Sequence, residues 1–168
     1  MNAIELRTLQ APLKQRYRED PQAARIGSRA EVTLDPDGMQ VKLEPRARVA
    51  ALHRATGGTI QASCSADMLL ESLAACAGVT LLAVATSTDV VLTGGRVIAE
   101  GVWDARGTLG VDKTVPIGMQ DITLTFELDT TADSAVQQRL VSATERYCVI
   151  LATLQSASKV AVTVRNGL

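Results

Sequence analysis

Residues 68–86, MLLESLAACAGVTLLAVAT, read as a helix that is apolar on nearly every side. A helix without a broad polar face cannot rest on a protein surface, so sheet or a partner subunit must cover it on most sides. Ser65 is the expected N-cap and Asp67 falls in the first turn. Its most apolar stretch, 73–85, is well short of the about 20 residues a bilayer requires, which predicts a buried core helix rather than a span. The rest of a 168-residue chain must be arranged around it. That length suits one domain, and no repeat, low-complexity tract or composition break divides it. A single domain over 1–168, with an N-terminal arm over 1–21, is expected.

Residues 13–20, LKQRYRED, form a charged arm or short helix that meets Pro21. Segments 30–34 and 39–44 alternate as strands do, and Asp35-Pro36-Asp37-Gly38 between them has turn chemistry, so they predict a hairpin. Segment 46–52 extends the sheet, and 53–59, with Gly57-Gly58, is a loop. Strands are expected at 90–92, 96–104, 122–128 and 159–164. A second helix, capped by Thr130 or Thr131, carries the stripe Val136, Leu140, Ala143, Tyr147, Leu151 and Leu154. Strands gathered before and after two helices, rather than alternating with them, make an α+β class.

Several functions are excluded early. Seventeen Lys and Arg against eighteen Asp and Glu leave a net charge of −1, with no positive field to hold nucleic acid. Four aromatics, Tyr17, Trp103, Phe126 and Tyr147, are too few for base-stacking platforms. A lone histidine, His53, and no closely spaced cysteine pair argue against a metal site. The chain has no G-x-S-x-G elbow, and its glycine pairs form neither nucleotide-binding fingerprint. Three well-separated cysteines and an amino terminus without an apolar signal region predict a reducing, cytoplasmic setting and no membrane association.

The cysteines remain. Cys76 is mid-helix, with Ser72, Leu73, Val79 and Thr80 on its face, where it reads either as a small buried hydrophobe or as a reactive thiol. A mid-helix thiol gains little from its own helix dipole, so an arginine from elsewhere would have to hold it as thiolate. Cys148 lies in ERYCVILATL, where the second helix either breaks and restarts or continues its buried stripe. A restart would put Cys148 at a helix N-terminus beside Arg146, and both features lower a thiol pKa. Cys64, in ASCSAD, is an incidental loop cysteine or an accessory thiol.

CSADMLLESLAACAGVTLLAVA, followed by ERYCVILATL, resembles the OsmC/Ohr family of organic hydroperoxide reductases over roughly residues 22–166. The early hairpin ending in VKLEP, the glycine-bearing loop, the strand-rich middle and the late second cysteine agree in order. The resemblance implies an OsmC-like fold, with antiparallel sheets packed around two central helices in an intertwined homodimer whose sites form at the subunit interface. It further implies a thiol peroxidase acting on organic hydroperoxides in oxidative stress defence, without metal or other cofactor. Cys76 falls on the peroxidatic position and Cys148 on the resolving one. Their disulfide would be reduced by an external dithiol such as a lipoyl group. The family's activating arginine falls at Arg29, with Arg25 and Arg106 as alternatives.

The chain departs from the family pattern in two places. Ala66 stands where the reductases carry an activating glutamate, with Asp67 adjacent as an accessory candidate. Glu71, five residues before Cys76, is turned about 140° away around the helix. Val149 stands where a proline usually follows the second cysteine. These departures motivate a second reading, a non-catalytic dimer of the same fold that binds a small apolar ligand at the subunit interface.

Overall fold

The computed structural model describes residues 3–36, 40–43, 52–58, 64–156 and 159–164; side chains at 3–7, 28–35 and 40–43 lie outside the description. Among the described residues five helices and four strands follow in the order α1 (Ala3–Glu19), β1 (Arg25–Asp35), β2 (Gln40–Leu43), α2 (Ser65–Ser87), β3 (Gly94–Asp104), α3 (Ala105–Thr108), β4 (Gln120–Asp129), α4 (Ser134–Tyr147) and α5 (Val149–Gln155). Short 3-10 turns occupy Pro21–Ala24 and Arg54–Thr56. The class is α+β, as expected. Among the described residues the strands make one antiparallel sheet, in the order β2-β1-β3-β4.

The expected central helix is there and is longer at both ends than 68–86. Cys64, not Ser65, holds the N-cap position, and its side chain makes no capping bond. Among the described residues α2 alone is long and apolar enough to cross a membrane by length and composition, with a mean hydropathy of 2.0. It packs on β1, β2 and β3, and α4 and α5 pack on it. Leu70, Leu73, Ala74, Ala77 and Leu81 are each 0% exposed. They meet Val97 and Ala99 of β3, Leu140 of α4 and Cys148 in one core.

β4 shows the clean alternation of an edge strand with one wet face: Ile122, Leu124, Phe126 and Leu128 are half-buried against the core, and the residues between them are exposed. Gly95 is required where β3 begins. Its φ of +137° is hostile to other residues, and a Cβ there would run into the Glu127 carbonyl oxygen.

Four local expectations change. The N-terminal arm is a docked helix: Tyr17 is 3% exposed and its hydroxyl donates to the Ala55 carbonyl at 2.8 Å. Together with Ala24, Trp103 and Ala105 it forms a second, smaller core. The cap of α4 is Asp133, whose carboxylate accepts the Val136 N–H at 2.8 Å, because the helix begins at Ser134, beyond the reach of Thr130, whose hydroxyl donates to the Val91 carbonyl at 2.7 Å and accepts the Ala132 N–H at 3.2 Å in the preceding turn. Residues 90–92 are not a strand. Nor are 159–164, although Val160, Val162 and Val164 alternate. Alternation supplies a strand's side chains, but a strand also needs a partner for its N–H and C=O groups, and no described strand pairs with these segments. Positions 37–39, 44–51 and 59 of the expected hairpin, sheet extension and loop lie outside the described residues.

Candidate functional site

The second helical segment breaks where the two readings of Cys148 diverged. Tyr147 ends α4, Cys148 takes an extended conformation (φ −72°, ψ 109°), and Val149 begins α5 without the help of a proline. The first amides of a new helix have no acceptor inside it. Here they meet sulfur. The Ile150 and Val149 N–H groups lie against the Cys76 thiol, together with the Cys148 thiol and the Thr80 hydroxyl from the next turn of α2. Thr80 Oγ1 also bonds the Cys76 carbonyl at 2.7 Å, which fixes it beside the sulfur.

Burial alone would push the Cys76 thiol up. The Ile150 N–H, the Cys148 thiol, the Val149 N–H and Thr80 together outweigh it and hold Cys76 below the ordinary thiol value. Cys148 goes the other way. It is 0% exposed, so burial raises its pKa; the Leu151 N–H offsets part of the rise, and the adjacent Cys76 adds to it. Arg146 does not help Cys148, because its guanidinium lies over the Tyr147 ring at 5.7 Å. Of the two open readings of Cys148, the helix restarts there but the thiol is buried, and the helix start serves Cys76 instead. The two contacting thiols thus have opposite shifts, Cys76 toward the thiolate and Cys148 toward the protonated form.

The other candidates whose side chains are described are not at this pair. The side chain of Arg29 lies outside the described residues; its backbone pairs opposite Glu100 in β1–β3. Arg25 is exposed and paired with Asp121 at 3.4 Å. Arg106 grips Asp104 through Nε and a terminal nitrogen, the latter at 2.7 Å, and this pairing holds the Asp104 carboxyl below its usual range. Asp67 precedes Cys76 by nine residues, about 13 Å of helix rise and half a turn out of phase. Cys64 lies about 18 Å of rise from Cys76. Among the described residues no cluster of three His, Cys, Asp or Glu is placed to hold a metal ion. The Val149 and Ile150 amides were missed at the sequence level; the only signal for them was the break itself.

A pH titration of alkylation should show the asymmetry. A depressed pKa completes the thiolate fraction at a lower pH, so the iodoacetamide rate at Cys76 should level off below the pH of a free thiol, while Cys148 stays slow there. Val149→Pro removes one amide donor at a first helical position that accepts proline, after a residue already extended. The Cys76 plateau should then move to higher pH with the circular dichroism spectrum retained. An unmoved plateau would show that this amide does not hold the thiolate.

Comparison with known proteins gives a consistent family. Residues 58–163 match the family described as OsmC-like protein. No curated protein matches the chain. The crystal structure of an OsmC-like hydroperoxide resistance protein from Jannaschia sp. CCS1 superimposes with a TM-score of 0.61 and 18% identity, over 86% of this chain and 95% of that one. At that identity the likeness is one of fold.

Proposed function

Since the chain belongs to the OsmC-like family, we propose that it is a thiol-dependent peroxidase that reduces organic hydroperoxides to alcohols. The observation that carries the reading is the contacting pair of thiols with opposed shifts, Cys76 lowered and Cys148 raised. The Cys76 thiolate attacks the distal oxygen of ROOH. The O–O bond breaks, RO⁻ leaves and takes up a proton as ROH, and Cys76 becomes a sulfenic acid. Cys148 then attacks that sulfur; its own proton and the sulfenic hydroxyl leave as water, and a disulfide remains. An external dithiol such as a lipoyl group returns both thiols by exchange and is itself oxidised to a disulfide. The reaction uses no resident cofactor. Arg29 is the proposed partner of the thiolate, and a cytoplasmic, reducing setting supplies the dithiol.

Support for the first step comes from the amides of α5, which stabilise a sulfur anion as an arginine would. Support for an aliphatic substrate comes from composition: with 2% aromatic residues, the surroundings of Cys76 are mainly Leu, Val and Ala. The test is a stoichiometric addition of cumene hydroperoxide to the reduced protein. One equivalent should produce a Cys76–Cys148 disulfide within the mixing time of a rapid quench, mapped by non-reducing peptide analysis. No such bond, with both cysteines still free, would defeat the peroxidase reading and favour the non-catalytic ligand-binding dimer.

A homodimer belongs to the same proposal. Val160, Val162 and Val164 are 83%, 88% and 85% exposed, and Val149 and Tyr147 expose apolar surface beside the thiol pair. Alternating exposed valines are the material of a strand, and a sheet edge of a second copy would cover them. Light scattering should give twice the 17.8 kDa chain mass, and Val162→Asp should shift the protein toward monomer. A monomer at micromolar concentration would remove the dimer from the proposal.

A further inference from the structure

Thr80 stands one helical turn after Cys76 on α2, and its hydroxyl donates to the Cys76 carbonyl at 2.7 Å. Bonds of this kind are ordinary in helices, and Thr144 and Thr153 make them too. What sets Thr80 apart is the sulfur beside its hydroxyl. A hydroxyl carries one proton and two lone pairs. With the proton on the carbonyl, Oγ1 offers lone pairs to whatever meets the sulfur. Cys76 has no lasting need of that proton, because the Ile150 and Val149 N–H groups and the Cys148 thiol also face it. Cys76 and Thr80 are both half-buried, and Val79 on the same side of α2 is 43% exposed. A small molecule can therefore reach the sulfur and the hydroxyl together, whereas Cys148 is 0% exposed.

An organic hydroperoxide has one O–H proton, and it sits on the distal oxygen, the atom that a thiolate attacks. Left alone, that O–H donates to the thiolate itself, which puts the proton between sulfur and oxygen and blocks the approach. An acceptor beside the sulfur takes the proton aside and leaves the oxygen facing Sγ, in line with the O–O bond.

We propose that the Thr80 hydroxyl oxygen accepts the O–H of the bound hydroperoxide and aims its distal oxygen at Cys76, which makes Thr80 a catalytic residue and the O–H a condition of recognition. The inference rests on the peroxidase reading and deepens it. In the step, the Sγ–O bond forms as the O–O bond breaks, and the electron pair leaves on RO⁻, which takes a proton from water. The distal proton stays on the new sulfenic oxygen, still donated to Oγ1. Thr80 keeps its own proton on the Cys76 carbonyl throughout. Compounds that react with thiolates but carry no O–H, dialkyl peroxides and iodoacetamide among them, gain nothing from Thr80.

Thr80→Val keeps the side-chain shape and removes the oxygen. Two rates at Cys76 are compared in the full-length, reduced protein, each at a pH where alkylation of that variant has levelled off and the sulfur is fully thiolate. One is oxidation by cumene hydroperoxide, followed by rapid quench; the other is alkylation by iodoacetamide, followed by peptide mapping. The ratio of oxidation to alkylation should fall about tenfold in Thr80→Val and stay within about twofold of the parent in Thr80→Ser. A change that only loosened the helix or weakened the thiolate would lower both rates and leave the ratio alone. An unchanged ratio in Thr80→Val, or a ratio in Thr80→Ser as low as in Thr80→Val, would overturn the role of Thr80 and leave the peroxidase reading in place. A parent protein whose Cys76 does not react with the hydroperoxide would remove that reading and this role with it. If Thr80→Val does not fold, Thr80→Ala carries the same comparison, and an unchanged ratio there overturns the role as well.

Discussion

Cys76→Ser should lower the turnover of cumene hydroperoxide, with dihydrolipoamide as reductant, by about 10³-fold or more. The reason lies in the atoms around the sulfur. The Ile150 and Val149 amides and Thr80 hold a thiol below its ordinary value, but a serine hydroxyl starts too far above neutrality for the same donors to ionise it. Oxygen also cannot take up the transferred oxygen as a sulfenic acid does. Cys148→Ser should separate the two halves of the reaction. The first equivalent of hydroperoxide should still yield alcohol, because the amides of α5 remain, and a dimedone-reactive sulfenic acid should persist on Cys76. Turnover by Cys76→Ser equal to the parent would sink the mechanism, and so would parent protein inactive with every dithiol tried.

Leu81→Ala should cost about 2–5 kcal/mol of stability. Leu81 is 0% exposed and packs in the core that α2 shares with β3, α4 and Cys148. Truncation removes apolar contacts on a helix surrounded by structure, so the void cannot be closed by a side chain swinging in from solvent. For a domain of this size the loss corresponds to a fall in Tm of roughly 5–15 °C. Calorimetry on the reduced protein measures it directly. A shift under about 2 °C would mean that the core collapses around the void and that α2 is less firmly enclosed than its burial implies.

Much of the fold was legible because it depends on local pattern. The ring of apolar residues from Met68 to Thr86 announced a central helix, and α2 spans it with a few residues more. The strands read at 96–104 and 122–128 matched β3 and β4; β4 has a wet face and a dry one, while β3 buries Val97, Ile98 and Ala99 in succession. Where a segment's state depends on what lies beside it, the pattern misled. Leu92 is buried and Val91 is 70% exposed, yet neither belongs to a strand, because their neighbours do not supply a ladder. The cap of α4 shifted to Asp133 because Thr130 is held in the turn before the helix, its hydroxyl donating to the Val91 carbonyl and accepting the Ala132 N–H.

The candidate site divides along the same line. Sequence alone determined that Cys76 rides on a helix that must be central, that Cys148 lies within or at a break in a second helical segment, and that any pocket beside Cys76 is lined mainly by aliphatic side chains. It left open whether Cys148 was an activated thiol at a helix start or a buried member of a stripe. The structure makes it both a cap and fully buried, and gives the activation to Cys76. Only tertiary structure could decide this. A thiol's pKa is set by desolvation and by donors within a few ångströms, and the two amide donors to Cys76 lie more than 70 residues further along the chain.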